Sequence, residues 1–242
     1  MLNKSNEIIF FRLTAIERKV MEDFEKYVSM FIEKVGVDHR YASFDFCYSY
    51  FYRTHVLNMG ENEDKEKSCM VLWSYLASWG MLRGSSHLLQ KSPAYLLNLI
   101  DYIGLIYKDA IKIDVDSYND ETITKLIDIY KNVESRLAIP NKFKPSVTLV
   151  TKIMLGVFAN VPAYDQYVKK AFGINTFNKK SLKVIVEYYN EYNKDGAVDQ
   201  LAEMQDVLVF PNIFPNIEGV ELTYTKAKII DMYGFQKGIS EE

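Results

Sequence analysis

Asp165 is the only acidic residue between Ile139 and Lys183, a stretch that holds eight lysines and no arginine. It follows a proline, in Asn160-Val-Pro-Ala-Tyr-Asp165, where a new helix is expected to start. A carboxylate in such a place can stabilise positive charge as it develops on a reacting sugar, or orient an attacking water. Surrounding lysines and a helix N-terminus favour its ionised form. The same residue would serve equally well as a first-turn acid that steadies its own helix without any catalysis.

The lysines have chemistry of their own. Eight of them against one aspartate make the block +7, and with −3 for the whole chain the remainder carries −10. This division fits one face built for an anionic partner, with the other surfaces acidic; a solvated lysine-rich surface is the plainer alternative. Lys142 and Lys144 lie in the connector Ile139-Pro-Asn-Lys-Phe-Lys-Pro-Ser146, beside the free amides of the next helix. Amides and lysines together suit a nucleic-acid phosphate, with Lys169 and Lys170 extending the footprint without reading sequence.

A second candidate is the small-residue run around Trp79 and Arg83, from Ala77 to Ser86. Small residues permit close approach by a helix or a ligand, and Arg83 beside Gly84-Ser85-Ser86 can meet a phosphate. Close helix packing is the commoner cause of such a run. Trp79 and Arg83 therefore stand as ligand-facing positions of second rank.

Other chemistries lack their residues. The three histidines, His39, His55 and His87, pair with no Cys or His at ligand spacing, so neither a metal site nor a cofactor is expected. Walker A, G-x-S-x-G and dinucleotide fingerprints are missing. Asp114-Val-Asp-Ser-Tyr-Asn-Asp120 lacks the glycine and terminal glutamate of a calcium loop and reads as an acidic helix start. Cys47 and Cys69 fall among apolar neighbours as buried thiols, which points to the cytoplasm. No apolar run reaches the length of a membrane span, and the N-terminus has no secretory pattern.

The elements that must position these residues are helical throughout. Thr14-Ala-Ile-Glu17 is a capping-box pattern ahead of a helix to about Val35. Helices are then expected at about 41–57, from Ser68 through the small-residue run, at 92–112, from Asp116 to Ala138, and at 146–159, 162–172 and 180–194. The segment Val209-Phe-Pro-Asn-Ile-Phe-Pro215 reads as an irregular connector before a last helix from about Thr223. An all-α, multi-helix fold follows for residues 1–242. Its expected form is one unit with two lobes: helices of about 1–112 and 180–242 packing around a basic unit of about 118–175, with a cleft between.

Residues 139–173 resemble the helix-hairpin-helix DNA glycosylase superfamily. Ile139-Pro140 stands where that family has Leu-Pro, and Lys144-Pro145-Ser146 where its hairpin ends. Val147–Ala159 supplies the apolar helix, and Asn160–Gly173 is similar to the turn bearing the essential aspartate. Asn141 and Phe143 occupy the two hairpin glycine positions. The resemblance implies a helix-hairpin-helix-like unit at about 125–172, double-stranded DNA as partner, and Asp165 as the catalytic carboxylate. It implies Lys142, Lys144 and Ser146 as backbone-positioning groups. Neither Pro145 nor Ser146 is an amine, so the implied enzyme is monofunctional: it cleaves the N-glycosidic bond of a damaged or modified base without Schiff-base chemistry, in repair or against foreign modified DNA. A non-enzymatic all-α module that binds nucleic acid or protein through the same face is the alternative.

Overall fold

The computed structural model describes residues 15–57, 64–208 and 222–241, with side chains from residue 22 onward. The fold is all-α. Ten helices are described: α1 Ala15–Ile32, α2 Ala42–His55, α3 Lys65–Ser78, α4 Leu97–Ala110, α5 Asp120–Leu137, α6 Val147–Phe158, α7 Gln166–Phe172, α8 Lys179–Tyr192, α9 Ala197–Met204 and α10 Lys226–Ser240. The capping-box pattern at Thr14, part of the acidic loop before Asp64 and the proline-rich connector at 209–221 lie outside the described residues.

α6 is the central helix. Its residues from Leu149 to Phe158 are all buried, and it packs against α2, α3 and α5. A helix that is apolar almost all round belongs in a core, and the sequence Val147-Thr-Leu-Val-Thr-Lys-Ile-Met-Leu-Gly-Val-Phe158 has that character. Gly156 is required there because a side chain would collide with the ring of Tyr75 on α3. The buried hydrophobic residues join into one cluster running from α1 to α10, with Cys47 and Cys69 inside it as free thiols.

Several boundaries differ from the sequence expectation, each for a local reason. α3 stops at Ser78 instead of running on through the small residues. Trp79 caps it and Gly80 takes φ 75°, while the N–H groups of Gly80 and Met81 bond back to the carbonyls of Ala77 and Leu76. That reciprocal pair closes the helix end, and it needs the left-handed conformation glycine adopts freely. Residues Pro93–Leu96 form a 3-10 turn ahead of α4. α7 begins only at Gln166, because Asn160–Tyr164 is a buried non-helical turn after Ala159, itself left-handed at φ 51°. The short helix α9 was not apparent from periodicity. The acidic segment before α5 is, as expected, a helix start: Asn119 accepts from the N–H groups of Glu121 and Thr122, and Thr122 answers to Asn119.

α7 is seated almost entirely by α10. Two glycines four residues apart on α10, Gly234 and Gly238, let it approach: Gly234 lies under the Phe172 ring and Gly238 against the main chain of Tyr167. The small-residue approach foreseen around residue 80 is thus made at the other end of the chain. A Gly238→Ala variant must push α7 away or shift α10; over-packing of this kind costs about 1–3 kcal/mol, read as a lowered urea midpoint at unchanged slope.

Candidate functional site

The site is built from the turn that joins α6 to α7. Asn160, Val161, Ala163 and Tyr164 are fully or almost fully buried, so their main-chain groups must find partners without a helix. One face of α6 supplies several. Thr148 donates to the carbonyl of Tyr164 at 2.8 Å, and Thr151 accepts from the N–H of Tyr164 at 2.8 Å. Lys152 donates to Oδ2 of Asp165 at 3.1 Å. Positions 148, 151 and 152 are spaced i, i+3 and i+4, which places them on one helix face. Other elements complete the set: Tyr118 donates to the Asn160 carbonyl, Thr225 to the Ala159 carbonyl at 2.6 Å, and the Ala163 N–H donates to Asp231 at 2.9 Å.

Asp165 is the N-cap of α7. Its backbone is extended, and Oδ1 accepts from the N–H groups of Tyr167 and Val168 at 3.0 and 3.1 Å. Its side chain retains 11% exposure and the Lys152 side chain 5%. The remaining exposure opens into a cleft of about 400 Å³. Arg40, Arg83, Lys152 and Lys169 bring four cations to that cleft against the one carboxylate of Asp165. Trp79, Met81 and Tyr167 give it apolar lining. Lys152 Nζ lies 4.7 Å and the Arg40 guanidinium 5.4 Å from the Trp79 ring, and Tyr41 stacks on the same indole at 5.4 Å. Gly80 serves the site a second time, since a side chain on it would press into the Arg83 guanidinium at 3.1 Å.

Behind this wall sits a second buried ion pair. Lys228 and Asp231 on α10 meet at 2.9 Å with 1% and 7% exposure, and Lys228 faces the rings of Phe31 and Phe44 at 4.6 and 4.4 Å. Asp45 on α2 completes the group. Burial pushes its carboxyl up to about 7, against the downward pull of the Tyr224 hydroxyl and the Lys228 ammonium.

The sequence candidates separate in three dimensions. Asp165, Trp79, Arg83 and Lys169 converge on the cleft although they come from α7 and from the turn after α3. Lys142, Lys144 and Ser146 lie apart from it, on the connector between α5 and α6. That connector is a tight turn in which Ile139 and Phe143 exchange backbone hydrogen bonds and Asn141 takes φ 59°. Asn141 thus adopts a left-handed conformation that glycine adopts freely. Ser146 caps α6 through the Leu149 N–H at 3.1 Å. Lys144 pairs with Glu134 at 3.7 Å, Lys179 with Asp120 at 3.0 Å, and Lys170 donates to the Glu241 carbonyl at 2.6 Å. Acidic helices therefore neutralise part of the basic block. Among the described residues no three His, Cys, Asp or Glu side chains gather as metal ligands, and no helix is long and apolar enough to cross a membrane.

Sequence reasoning missed three contributors: Lys152, Arg40 and the Lys228–Asp231 pair. A signal existed for the first, because Lys152 is the only charge in an otherwise apolar helix. Arg40 carried none. Family models, curated proteins and solved structures contain no match to this chain.

Two outcomes follow from the buried charges. Asp165→Ala removes the cap and strands the Lys152 ammonium, a loss of about 3 kcal/mol or more, whereas Asp165→Asn keeps the oxygen that caps α7 but not the charge facing Lys152, and so recovers only the capping part, about 1 kcal/mol; chemical denaturation of the pair of variants checks this. For Asp45 the folded carboxyl keeps its proton up to about pH 7 while the unfolded one ionises near 3.8. The folded state holds the extra proton between those values, so stability falls as pH rises through that window and is level above it. Asp45→Asn removes this slope, and its melting temperature relative to the parent should climb between about pH 5 and about pH 7 and then level off.

Proposed function

We propose that the protein is a DNA glycosylase-like hydrolase, with Asp165 as the catalytic carboxylate and a damaged or modified base as the leaving group. The observation that carries this reading is the convergence of Asp165 with Trp79, Arg83 and Lys169 on one cleft. A volume of about 400 Å³ lies within the range of small-molecule sites, about 300–1,000 Å³. A single nucleotide turned out of a duplex would enter it. The bond between the sugar C1′ and the base nitrogen breaks, and its electron pair leaves on the base. Asp165 faces the positive charge that develops at C1′ and takes the proton of the water that adds there. Its bonds from the Tyr167 and Val168 N–H groups hold the carboxylate in place beforehand. Lys152 is engaged in the ion pair, and an ion-paired ammonium is no nucleophile, so the reading remains monofunctional.

The turn at Ile139–Phe143, with left-handed Asn141 and exposed Lys142 and Lys144, supports a backbone contact away from the cleft. A specific observation also favours the non-enzymatic alternative. Both oxygens of Asp165 already have protein donors, which is what a purely structural lock requires.

The test is base release from duplex oligonucleotides carrying a panel of modified bases. Asp165→Asn should lower release about 100-fold or more while duplex binding persists. Unchanged release by that variant overturns the mechanism. Salt-dependent binding without release from any substrate would establish the binding module instead.

A further inference from the structure

Several lysines of the basic block are neutralised by carboxylates or tied to main chain. Lys144, Lys152, Lys179 and Lys183 each face a carboxylate, at 3.7, 3.1, 3.0 and 4.0 Å. Lys170 is tied to the C-terminal main chain. Arg40, Arg83 and Lys169 are different. Among the described residues none of the three has a carboxylate partner, and all three line the cleft that holds Asp165. They reach it from three separate places: the loop before α2, the turn after α3, and α7.

Three cations that face one cleft without carboxylate partners of their own attract an anion that can be shared among them, although water screens the exposed Arg40 and Arg83. Two guanidiniums and an ammonium suit a phosphate, since arginine donates two parallel N–H bonds to its oxygens. The remaining lining limits what the phosphate is attached to. Trp79, Met81 and Tyr167 present apolar surface for a planar ring, and Thr148 and Asp165 present oxygens that accept from sugar hydroxyls or ring N–H groups. Inorganic phosphate would leave most of the cleft unfilled.

We infer that this cleft is a nucleotide site in which Arg40, Arg83 and Lys169 hold the phosphate and Trp79, Met81 and Tyr167 face the base. The phosphate assignment rests on charge alone, while the sugar and base rest on the glycosidic reading above. The same chemistry is offered by a free nucleoside 5′-monophosphate and by a nucleotide turned out of a DNA strand.

The experiment titrates the full chain calorimetrically with deoxyadenosine 5′-monophosphate, with deoxyadenosine and with inorganic phosphate. In parallel it measures kcat and KM for base release from a duplex. Variants Arg83→Gln and Arg40→Gln are compared with the parent, their melting temperatures checking that they fold. A free-nucleotide site is supported if the monophosphate binds at least about 10-fold tighter than the nucleoside and each variant removes about that factor. A strand-nucleotide site is supported if the variants raise KM for the duplex at unchanged kcat. The inference is overturned if neither substitution affects either readout, or if inorganic phosphate binds as tightly as the monophosphate. Monophosphate binding that needs the arginines, with no base release from any duplex, sinks the glycosidic reading and leaves this site standing. Base release indifferent to both arginines, with no monophosphate binding, does the reverse.

Discussion

The structure depends on burying a stretch of chain that is neither helix nor strand. Asn160 to Asp165 crosses the interior between α6 and α7, where a main-chain N–H or carbonyl without a partner costs about 1–3 kcal/mol. Tyr118, Thr148, Thr151 and Asp231 provide such partners from three separate elements, and Thr225 at the start of α10 holds the Ala159 carbonyl just before. The turn is thus defined from outside itself. Because it is held at so many points, the residue at its end, Asp165, has a fixed position relative to α6, α7 and the Trp79 turn.

Two buried ion pairs extend this logic to side chains. Lys152–Asp165 joins the central helix to the start of α7, and Lys228–Asp231 joins α10 to the Ala163 N–H. Taking charges out of water is expensive, and such pairs are weak evidence for stability by themselves. Here each aspartate also accepts main-chain hydrogen bonds, so the carboxylates do structural work that an apolar pair would leave undone. The aromatic rings of Phe31, Phe44 and Trp79 around the two ammonium groups offset part of the desolvation. Asp45, which shares this interior with Lys228, marks the limit of the arrangement: burial outweighs its two favourable neighbours.

Much of the helical order was readable because it is local. The apolar run of α6 declares a buried helix, whereas the caps Asn119 and Asp165 lie three residues beyond the starts expected at Asp116 and Pro162. The end of α3 was misread because small residues after Ser78 continue a helical composition, while Gly80 closes the helix through a conformation that composition does not reveal. In the site, Asp165 stood out by charge isolation and Trp79 with Arg83 by their small neighbours. Lys152 carried the matching anomaly, one cation on an apolar helix, and thirteen residues separate it from Asp165. Arg40 is an ordinary surface arginine in sequence, and only its position over Trp79 distinguishes it.

By itself the sequence determined an all-α chain, a buried α6 and an isolated carboxylate at a helix start. These follow from periodicity, capping and charge counted over a few residues at a time. Which cations stay unpaired, and where they gather, was decided by tertiary structure. Glu134 and Asp120 neutralise lysines that sequence alone counted as one basic face, whereas Arg40, Arg83 and Lys169 meet at a cleft from distant parts of the chain. Electrostatic partnership depends on distances of a few ångströms between side chains from different elements. Spacing along the sequence does not carry that information.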